Sequence, residues 1–141
     1  MRIVLGVVLV VLSGCASEKG RAAFSADGTS TTTATLEAGD VDFWTDIDAE
    51  WVGSATMRYD IVLEQGGAEV ARTSCNPLGA MNVKMSWVET NFGDSHSRSG
   101  KGKLGCSVKV PAGGATDVKV TLSSSWPGKV TLKKADLVVK Q

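Results

Sequence analysis

The sequence predicts an all-β domain, an antiparallel β-sandwich of about seven or eight strands with Greek-key-like connections and one disulfide inside the domain. Apolar and polar residues alternate with a period of two through most of residues 29–141, and no stretch of this part sustains helical spacing over three turns. Turn signals such as Gly66-Gly67 and Gly113-Gly114 separate several alternating segments. Together these observations favour two packed antiparallel sheets.

Each predicted strand is justified by its own alternation. In residues 41–51 the apolar phase contains Val41, Phe43, Ile47, Ala49 and Trp51, and the intervening residues are mostly acidic. The same pattern predicts strands at 55–65, 81–89, 106–110, 116–122 and 128–139, with further candidates at 29–36 and 68–74. Their predicted core positions are Ala55, Met57, Tyr59, Ile61, Leu63, Met81, Val83, Met85, Trp87, Val108, Val110, Val118, Val120, Leu122, Val130 and Leu132.

Residues 1–14 have the layout of a secretory signal peptide. Arg2 supplies a positive end, an apolar run covers residues 3–12, and Ser13-Gly14 are small residues suited to a cleavage site. The apolar run is about half of the roughly 20 residues that a membrane-spanning helix needs. We therefore expect this segment to be removed by cleavage and not to remain as a membrane anchor.

The stretch Leu12-Ser13-Gly14-Cys15 resembles the lipobox of bacterial lipoproteins. The resemblance implies that Cys15 receives a diacylglyceryl group, becomes the first residue and is then N-acylated, for example with palmitate. Two or three chains hold a protein at a membrane durably, whereas one chain binds only marginally. Residue 16 is Ala and not the Asp that retains enteric-type lipoproteins at the inner membrane, so the resemblance implies the outer membrane in preference to the inner membrane and leaves the leaflet open. The alternative is an ordinary signal peptide with an incidental cysteine.

The exported chain is expected to have a short tether and one domain. Residues 15–28 lack periodicity and are predicted to be a flexible tether, followed by the sandwich at 29–141. The whole chain has fifteen acidic and fifteen basic residues, which gives no support for nucleic-acid binding. Residues 18–64 carry ten acidic and three basic side chains, whereas 65–141 carry five and eleven. Acidic and basic strands are therefore expected to face each other or to define opposite surfaces.

Cys75 and Cys106 form an even pair in an oxidising compartment, where a disulfide is the default expectation. In the chain-entropy model, their separation corresponds to roughly 3–4 kcal/mol of stabilisation. The alternative, a metal or reactive-thiol site, is disfavoured because the sequence has one His and no CxxC pair. To bring the two cysteines together, residues 91–103 are expected to cross back over the sandwich.

The acidic positions of 40–50 raise the question of a metal site at Asp42, Asp46 and Asp48. Side chains two residues apart on a strand lie about 6.6–7 Å from each other, so their carboxylates form a row and do not converge. The run also lacks the glycine that an EF-hand loop requires. A solvated strand face paired with lysines of a neighbouring strand is the preferred interpretation, and no cofactor is predicted.

Two further features are candidates for recognition. Residues 95–103 are predicted to be a mobile loop whose Arg98, Lys101 and Lys103 suit an anionic headgroup or an envelope polysaccharide. Trp51 and Trp87 fall in the apolar phase and are expected in the core. Trp44 falls in the polar phase and Trp126 in a turn, where each suits a sugar ring or a protein partner. The alternative for Trp44 is cover by the tether or by a lysine stem.

Catalysis is not predicted. His96 is flanked by Asp94, Ser95 and Ser97, but neighbouring residues cannot readily reach the geometry of a catalytic triad. The GxSxG and HExxH motifs are absent from the sequence. The sequence therefore predicts a membrane-anchored envelope lipoprotein that acts as a protein-interaction or structural component, with a carbohydrate-binding module as the alternative.

Overall fold

The computed structural model describes residues 16–79, 81 and 83–141. The predicted signal peptide and Cys15 lie outside the described residues. The described part contains nine strands: β1 (Glu18–Ala22), β2 (Gly28–Leu36), β3 (Gly39–Val52), β4 (Thr56–Gln65), β5 (Ala68–Cys75), β6 (Lys84–Phe92), β7 (Ser95–Val110), β8 (Gly114–Ser125) and β9 (Val130–Lys140).

The nine strands form two antiparallel sheets that pack together, which confirms the predicted sandwich. The first has five strands in the order β1-β9-β3-β7-β6, and the second has four in the order β2-β8-β4-β5. The β4–β5 and β6–β7 connections are hairpins within a sheet, and the other connections pass from one sheet to the other. The strands that follow each other in the chain are therefore mostly on opposite sides of the core.

The core follows the predicted alternation in the central strands. The apolar phase of β3 is buried from Val41 to Trp51, as are Met57, Ile61 and Leu63 in β4. Tyr59 of β4 is also buried, and its hydroxyl donates a hydrogen bond to the carbonyl of Ala135 at 2.7 Å. Burial raises the pKa of the Tyr59 hydroxyl, which keeps it a neutral donor. This hydrogen bond joins the two sheets through the middle of the core.

The prediction of a flexible tether at residues 15–28 is wrong where β1 forms. Strand β1 pairs with β9, and Ala22 and Phe24 are buried in the core. The backbone amide of Ala135 donates to the carbonyl of Phe24 at 2.8 Å. Because β1 has only five residues, it shows no periodicity in the sequence, and its position is set by these distant partners.

The predicted loop and crossover at residues 91–103 is also wrong. Residues 95–103 belong to β7, which forms a hairpin with β6 and pairs with β3 on its other side. The chain crosses between the sheets earlier, between the end of β5 at Cys75 and the start of β6 at Lys84. Because β7 runs antiparallel to β6, it brings Cys106 back next to Cys75, where the chain leaves β5.

The predicted disulfide between Cys75 and Cys106 is confirmed, with α-carbons 5.7 Å apart. Cys75 ends β5 in the four-stranded sheet, and Cys106 lies in β7 of the five-stranded sheet. The bond therefore links the two layers at one side of the sandwich. A metal or free-thiol role for this pair is thereby excluded in the oxidised protein.

A bulge in β6 interrupts the predicted inward phase of residues 81–89, so that Trp87 keeps the predicted inward position and Met85 does not. Met85 pairs with Lys101 and Val88 with Ser99, so that two residues of β6, Ser86 and Trp87, stand opposite Gly100. Trp87 is half-buried against the core, whereas Met85 is 52% exposed and Val88 is 62% exposed. Outside the bulge, Val83 is also exposed, and it precedes an edge strand in which every residue except Trp87 is exposed.

A second bulge, in β9, explains why the observed core positions of this strand differ from the predicted ones. Asp48 pairs with Lys134 and Ala49 with Leu132, so one extra residue of β9 is accommodated between them. The buried positions change from even to odd numbers, and Ala135, Leu137 and Val139 form the core. Of the two predicted core residues, Leu132 is half-buried and Val130 is exposed at the end of the sandwich.

We expect Gly100→Ala to destabilise the domain by about 2 kcal/mol or more, because Gly100 combines a left-handed backbone with a close contact. Its φ is +132°, and an added β-carbon would lie 2.8 Å from the α-carbon of Trp87. Gly105→Ala in the same strand is the matched control, since nothing lies within 4 Å of its β-carbon position. Urea unfolding of both variants measures the difference. Equal midpoints would show that the bulge imposes no constraint on Gly100.

Candidate interaction surface

The outward face of the five-stranded sheet carries most of the charged residues that the sequence singles out. In β3 the side chains of Asp42, Trp44, Asp46, Asp48 and Glu50 alternate with the buried set and therefore point away from the core. The neighbouring strands β7 and β9 contribute lysines to this face. Lys103 lies 3.6 Å from Asp42, and Lys134 lies 3.1 Å from Asp46. The predicted pairing of the acidic row with lysines of adjacent strands is thus present for these two carboxylates.

Arg21 occupies the centre of this face. Asp46 of β3 and Asp136 of β9 stand directly opposite each other, which places two like charges in a cross-strand pair. The guanidinium of Arg21 lies 2.7 Å from the Asp46 carboxylate and 3.0 Å from that of Asp136. Asp136 also accepts a hydrogen bond from the backbone amide of Phe24. Arg21 therefore bridges the carboxylate pair and fixes β1 on the sheet, and Lys134 supplies a second cation at Asp46.

The same contacts set the protonation of Asp46. Burial alone would raise the pKa of this carboxyl, but the hydrogen bonds from Arg21 and Lys134 outweigh it and hold the pKa below its ordinary value. Asp46 is therefore ionised at neutral pH and paired with Arg21 and Lys134. In the described residues, no group of three or more His, Cys, Asp or Glu side chains is placed to hold a metal ion.

The three cations proposed for anion recognition are not brought together. Lys101 and Lys103 lie on the outward face of β7, whereas Arg98 has the opposite phase and points inward. The Arg98 guanidinium lies 2.7 Å from the carboxylate of Glu89, and it donates to the carbonyl of Leu78. Arg98 therefore joins β6 and the crossing segment to the body of the domain.

The two candidate tryptophans are occupied by neighbours within the domain. The Lys140 ammonium lies 4.0 Å from the centre of the Trp44 ring, so a lysine covers this ring as the alternative interpretation expects. Trp126 packs against Trp51, with ring centres 5.7 Å apart, and its indole N–H donates to the Ser124 hydroxyl. Trp44 and Trp126 do not form one surface.

His96 is packed as a structural residue. Its ring stacks on Trp51 at a centre-to-centre distance of 5.5 Å, and its Nδ1 lies 2.7 Å from the side-chain oxygen of Asn91. The partner that orients the imidazole is thus an amide and not a carboxylate. A carboxylate partner is what stabilises the charged imidazole in a catalytic triad.

A group of exposed apolar side chains that was not predicted from the sequence lies at one edge and one end of the five-stranded sheet; we call it the apolar patch. It comprises the large hydrophobic residues that are exposed in the described part of the chain: Val52, Val83, Met85, Val88, Phe92 and Val130. Phe92 is 83% exposed. Such a collection of exposed apolar side chains is typical of a contact surface.

An open groove of about 280 Å³ lies at the end of this patch. Val52, Phe92 and Val130 line it together with Glu50 and Lys129. The groove combines apolar side chains with one carboxylate and one ammonium group. We refer to it as the end groove.

A physical signal for the patch was present in the sequence but incomplete. The alternation of residues 81–87 ends at Trp87, and Val88 and Phe92 then fall in the opposite phase. The bulge that causes the interruption requires Gly100, which is distant in the sequence. Only the pairing of β6 with β7 explains why these side chains point outward.

Comparison with protein-family models and with curated protein sequences found no match for this chain. Among the residues that the structure describes, no helix is long and apolar enough to span a membrane.

We expect Arg21→Met to destabilise the domain by about 2–3 kcal/mol at pH 7, because it leaves two opposed carboxylates without their shared cation. The depressed pKa of Asp46 contributes stability above its unfolded value of about 3.9, and this contribution is lost as the pH falls through the folded value. The difference from the unsubstituted chain should therefore shrink below about pH 4. Urea unfolding between pH 7 and pH 3 measures it.

Arg72→Met is the control for this prediction. Arg72 pairs with Glu69 on the surface, and both side chains are well exposed. Its replacement should leave the urea midpoint unchanged at every pH. If both variants behave alike, the ion pairs of Arg21 contribute no more to the stability of the domain than the exposed pair of Arg72 and Glu69.

We also expect Trp126→Ala to cost about 2 kcal/mol and Trp44→Ala about 1 kcal/mol or less. Trp126 loses ring contact with Trp51, whereas Trp44 loses mainly its contact with Lys140. Thermal unfolding of the two variants tests the order. A larger loss for Trp44→Ala would assign that ring a packing role instead.

Proposed function

We propose that this chain is an exported bacterial envelope lipoprotein, anchored through lipid on Cys15, that acts through protein contacts and not through catalysis. The observation that carries the proposal is the apolar patch. Its side chains remain exposed, while Trp44, Trp126 and Arg98 have partners inside the domain. The anchor itself rests on the lipobox-like residues 12–15.

The position of β1 supports a close association with the membrane. The backbone of Ser17 exchanges two hydrogen bonds with Gln141, at 3.2 Å each, so the paired structure begins two residues after Cys15. Two extended residues span about 7 Å. A lipidated Cys15 would therefore hold the domain directly on the membrane surface. The outer membrane is the proposed location, because residue 16 is Ala.

A non-catalytic function is consistent with the environment of the one histidine. His96 stacks on Trp51, and the side-chain oxygen of Asn91 occupies the position that a carboxylate has in a catalytic triad. The exposed aromatic ring of Phe92 suits the role of an anchor in a protein contact, since buried aromatic side chains carry much of the energy of such interfaces.

A second candidate function is binding of an envelope polysaccharide, which the end groove favours. Phe92 offers a ring face, and Glu50 and Lys129 are groups that can hydrogen-bond sugar hydroxyls. This candidate involves Phe92, Glu50 and Lys129 instead of Trp44 and Trp126, which suggested carbohydrate binding in the sequence.

Cys15→Ser tests the anchor. In cells fed a labelled fatty acid, the unsubstituted chain should incorporate the label and fractionate with the outer membrane, and Cys15→Ser should lose both properties. Ala16→Asp is the matched control, because it keeps the acceptor cysteine and should keep the label, while the chain moves to the inner membrane in an enteric-type host. Labelling that survives Cys15→Ser would overturn the assignment of the anchor.

Two further variants separate the candidate functions. Val88 belongs to the apolar patch but does not line the end groove, whereas Glu50 lines the groove and is not part of the patch. In-cell crosslinking should lose its protein adduct with Val88→Lys and retain it with Glu50→Gln. Retention on purified cell-wall polysaccharide that is lost with Glu50→Gln alone would favour the second candidate.

A further inference from the structure

We infer that the free edge of β6 binds the same edge of a second copy of this chain, so that two five-stranded sheets join into one. The second copy is the partner in the proposed protein-contact function. The inferred dimer rests on that function only for the setting at the membrane, and the pairing itself follows from β6.

Strand β6 is the end strand of its sheet and pairs with β7 on one side. Alternate backbone N–H and C=O groups of an edge strand point away from the sheet and are available for another strand. Natural proteins usually protect such edges with charges, prolines, bulges or short length. The bulge at Ser86-Trp87 and the charge of Lys84 protect one end of β6; in residues 88–92 the one charge, Glu89, is on the inward face and is paired with Arg98, and the outward face carries no charge.

The other edge strands of the sandwich differ from β6. Strand β1 has five residues and carries Glu18, Lys19 and Arg21. Strand β5 carries the exposed Glu69–Arg72 ion pair and is held by the disulfide. Strands β2 and β5 contribute no exposed large hydrophobic side chain in the described part of the chain. Among the four edge strands of the described part, exposed large hydrophobic side chains therefore occur only on β6.

Charge and packing favour a register centred on Thr90 over registers centred on Glu89 or Val88 for two antiparallel copies of β6. A pair centred on Glu89 would place two carboxylates directly opposite each other, which is unfavourable. A pair centred on Val88 would run into the bulge at Ser86-Trp87. A pair centred on Thr90 avoids both and uses all five residues from 88 to 92.

The register centred on Thr90 is self-complementary on both faces. On the outward face, Val88 of each copy stands opposite Phe92 of the other, on either side of the Thr90 pair. On the inward face, Glu89 stands opposite Asn91, which can donate a hydrogen bond to it. Aromatic–β-branched pairs and Thr–Thr pairs are favourable cross-strand combinations. The symmetry is the two-fold type found in most homodimers.

The contact is small, so the dimer is expected to be weak in free solution. Stable specific interfaces bury about 1,200–2,000 Å² in total, and a ladder of five residues on each side covers less than this. The two-fold axis is perpendicular to the strands, so the two N-terminal ends lie at opposite ends of the joined sheet. With linkers of two residues after Cys15, both copies can be anchored in one membrane when their strands run along its surface.

Disulfide trapping through Thr90→Cys tests the register. In the inferred pair, the two residues at position 90 face each other with α-carbons about 4.5–5.5 Å apart, which a disulfide can bridge. The full chain carrying Cys15→Ser, purified in mild detergent, has no other thiol outside the Cys75–Cys106 bond. After mild copper-catalysed oxidation, most of the Thr90→Cys chain should run at about twice 14.7 kDa without reductant.

Two variants control this experiment. Thr31→Cys introduces the same exposed change on the edge strand β2 and should give at least tenfold less dimer. Adding Val88→Lys to Thr90→Cys places cations against Phe92 and should reduce the trapped dimer at least tenfold. Val88 and Thr90 are exposed, so thermal unfolding should be unchanged, and this is measured alongside.

Equal trapping of Thr90→Cys and Thr31→Cys, or a Thr90→Cys chain that stays monomeric, overturns the inference. If the purified variant stays monomeric while it is trapped in cells with a protein of different mass, the edge belongs to another protein and not to a second copy. Neither result depends on lipid labelling at Cys15, so failure of the dimer and failure of the anchor are distinguished.

Discussion

The ion pair of Arg21 with two carboxylates is the constraint that defines the outward face of the five-stranded sheet. Antiparallel pairing of β3 and β9 forces Asp46 and Asp136 to stand opposite each other, and the Arg21 guanidinium, together with Lys134 at Asp46, offsets their repulsion. Because this guanidinium is carried by β1, the segment that follows Cys15 becomes part of the sheet. The same interaction removes Asp46 from the set of free carboxylates that a cation would need.

The bulges determine which apolar residues face water. A β-strand has a side-chain period of two, so one extra residue transfers every later side chain to the other face. In β9 this shift places Ala135, Leu137 and Val139 in the core. In β6 the same kind of shift leaves Met85 and Val88 outside. The tight approach of Ser86 and Trp87 to Gly100 ties the second shift to one glycine, so the apolar patch is built into the backbone of the sheet.

The sequence predicts the fold class, the disulfide and the core of β3, β4 and β8, because strong alternation and an even pair of cysteines are local signals. It does not predict β1, which has five residues and depends on Asp46 and Asp136 far along the chain. Residues 95–103 were mistaken for a loop because serine and glycine are weak strand formers in isolation. Their alternation of Ser95, Ser97 and Ser99 with His96 and Arg98 becomes a strand because β3 and β6 pair with it on both sides. The candidate recognition residues were chosen by phase and chemistry alone, and their phase could not reveal that Lys140 covers Trp44 or that Trp126 packs on Trp51.

The proposed anchor and the inferred dimer reinforce each other through concentration. A ladder of five residues gives little affinity in solution, because the full loss of translational and rotational freedom opposes association there. Copies held on one membrane by linkers of two residues have already lost part of that freedom, so the same contact becomes more populated at the surface. The linkers also limit orientation, because the two-fold axis of the β6 pair must then stand along the membrane normal. A weakly pairing edge is tolerable in such a protein. The membrane already confines the copies, so a larger interface is not needed to offset the loss of freedom on association.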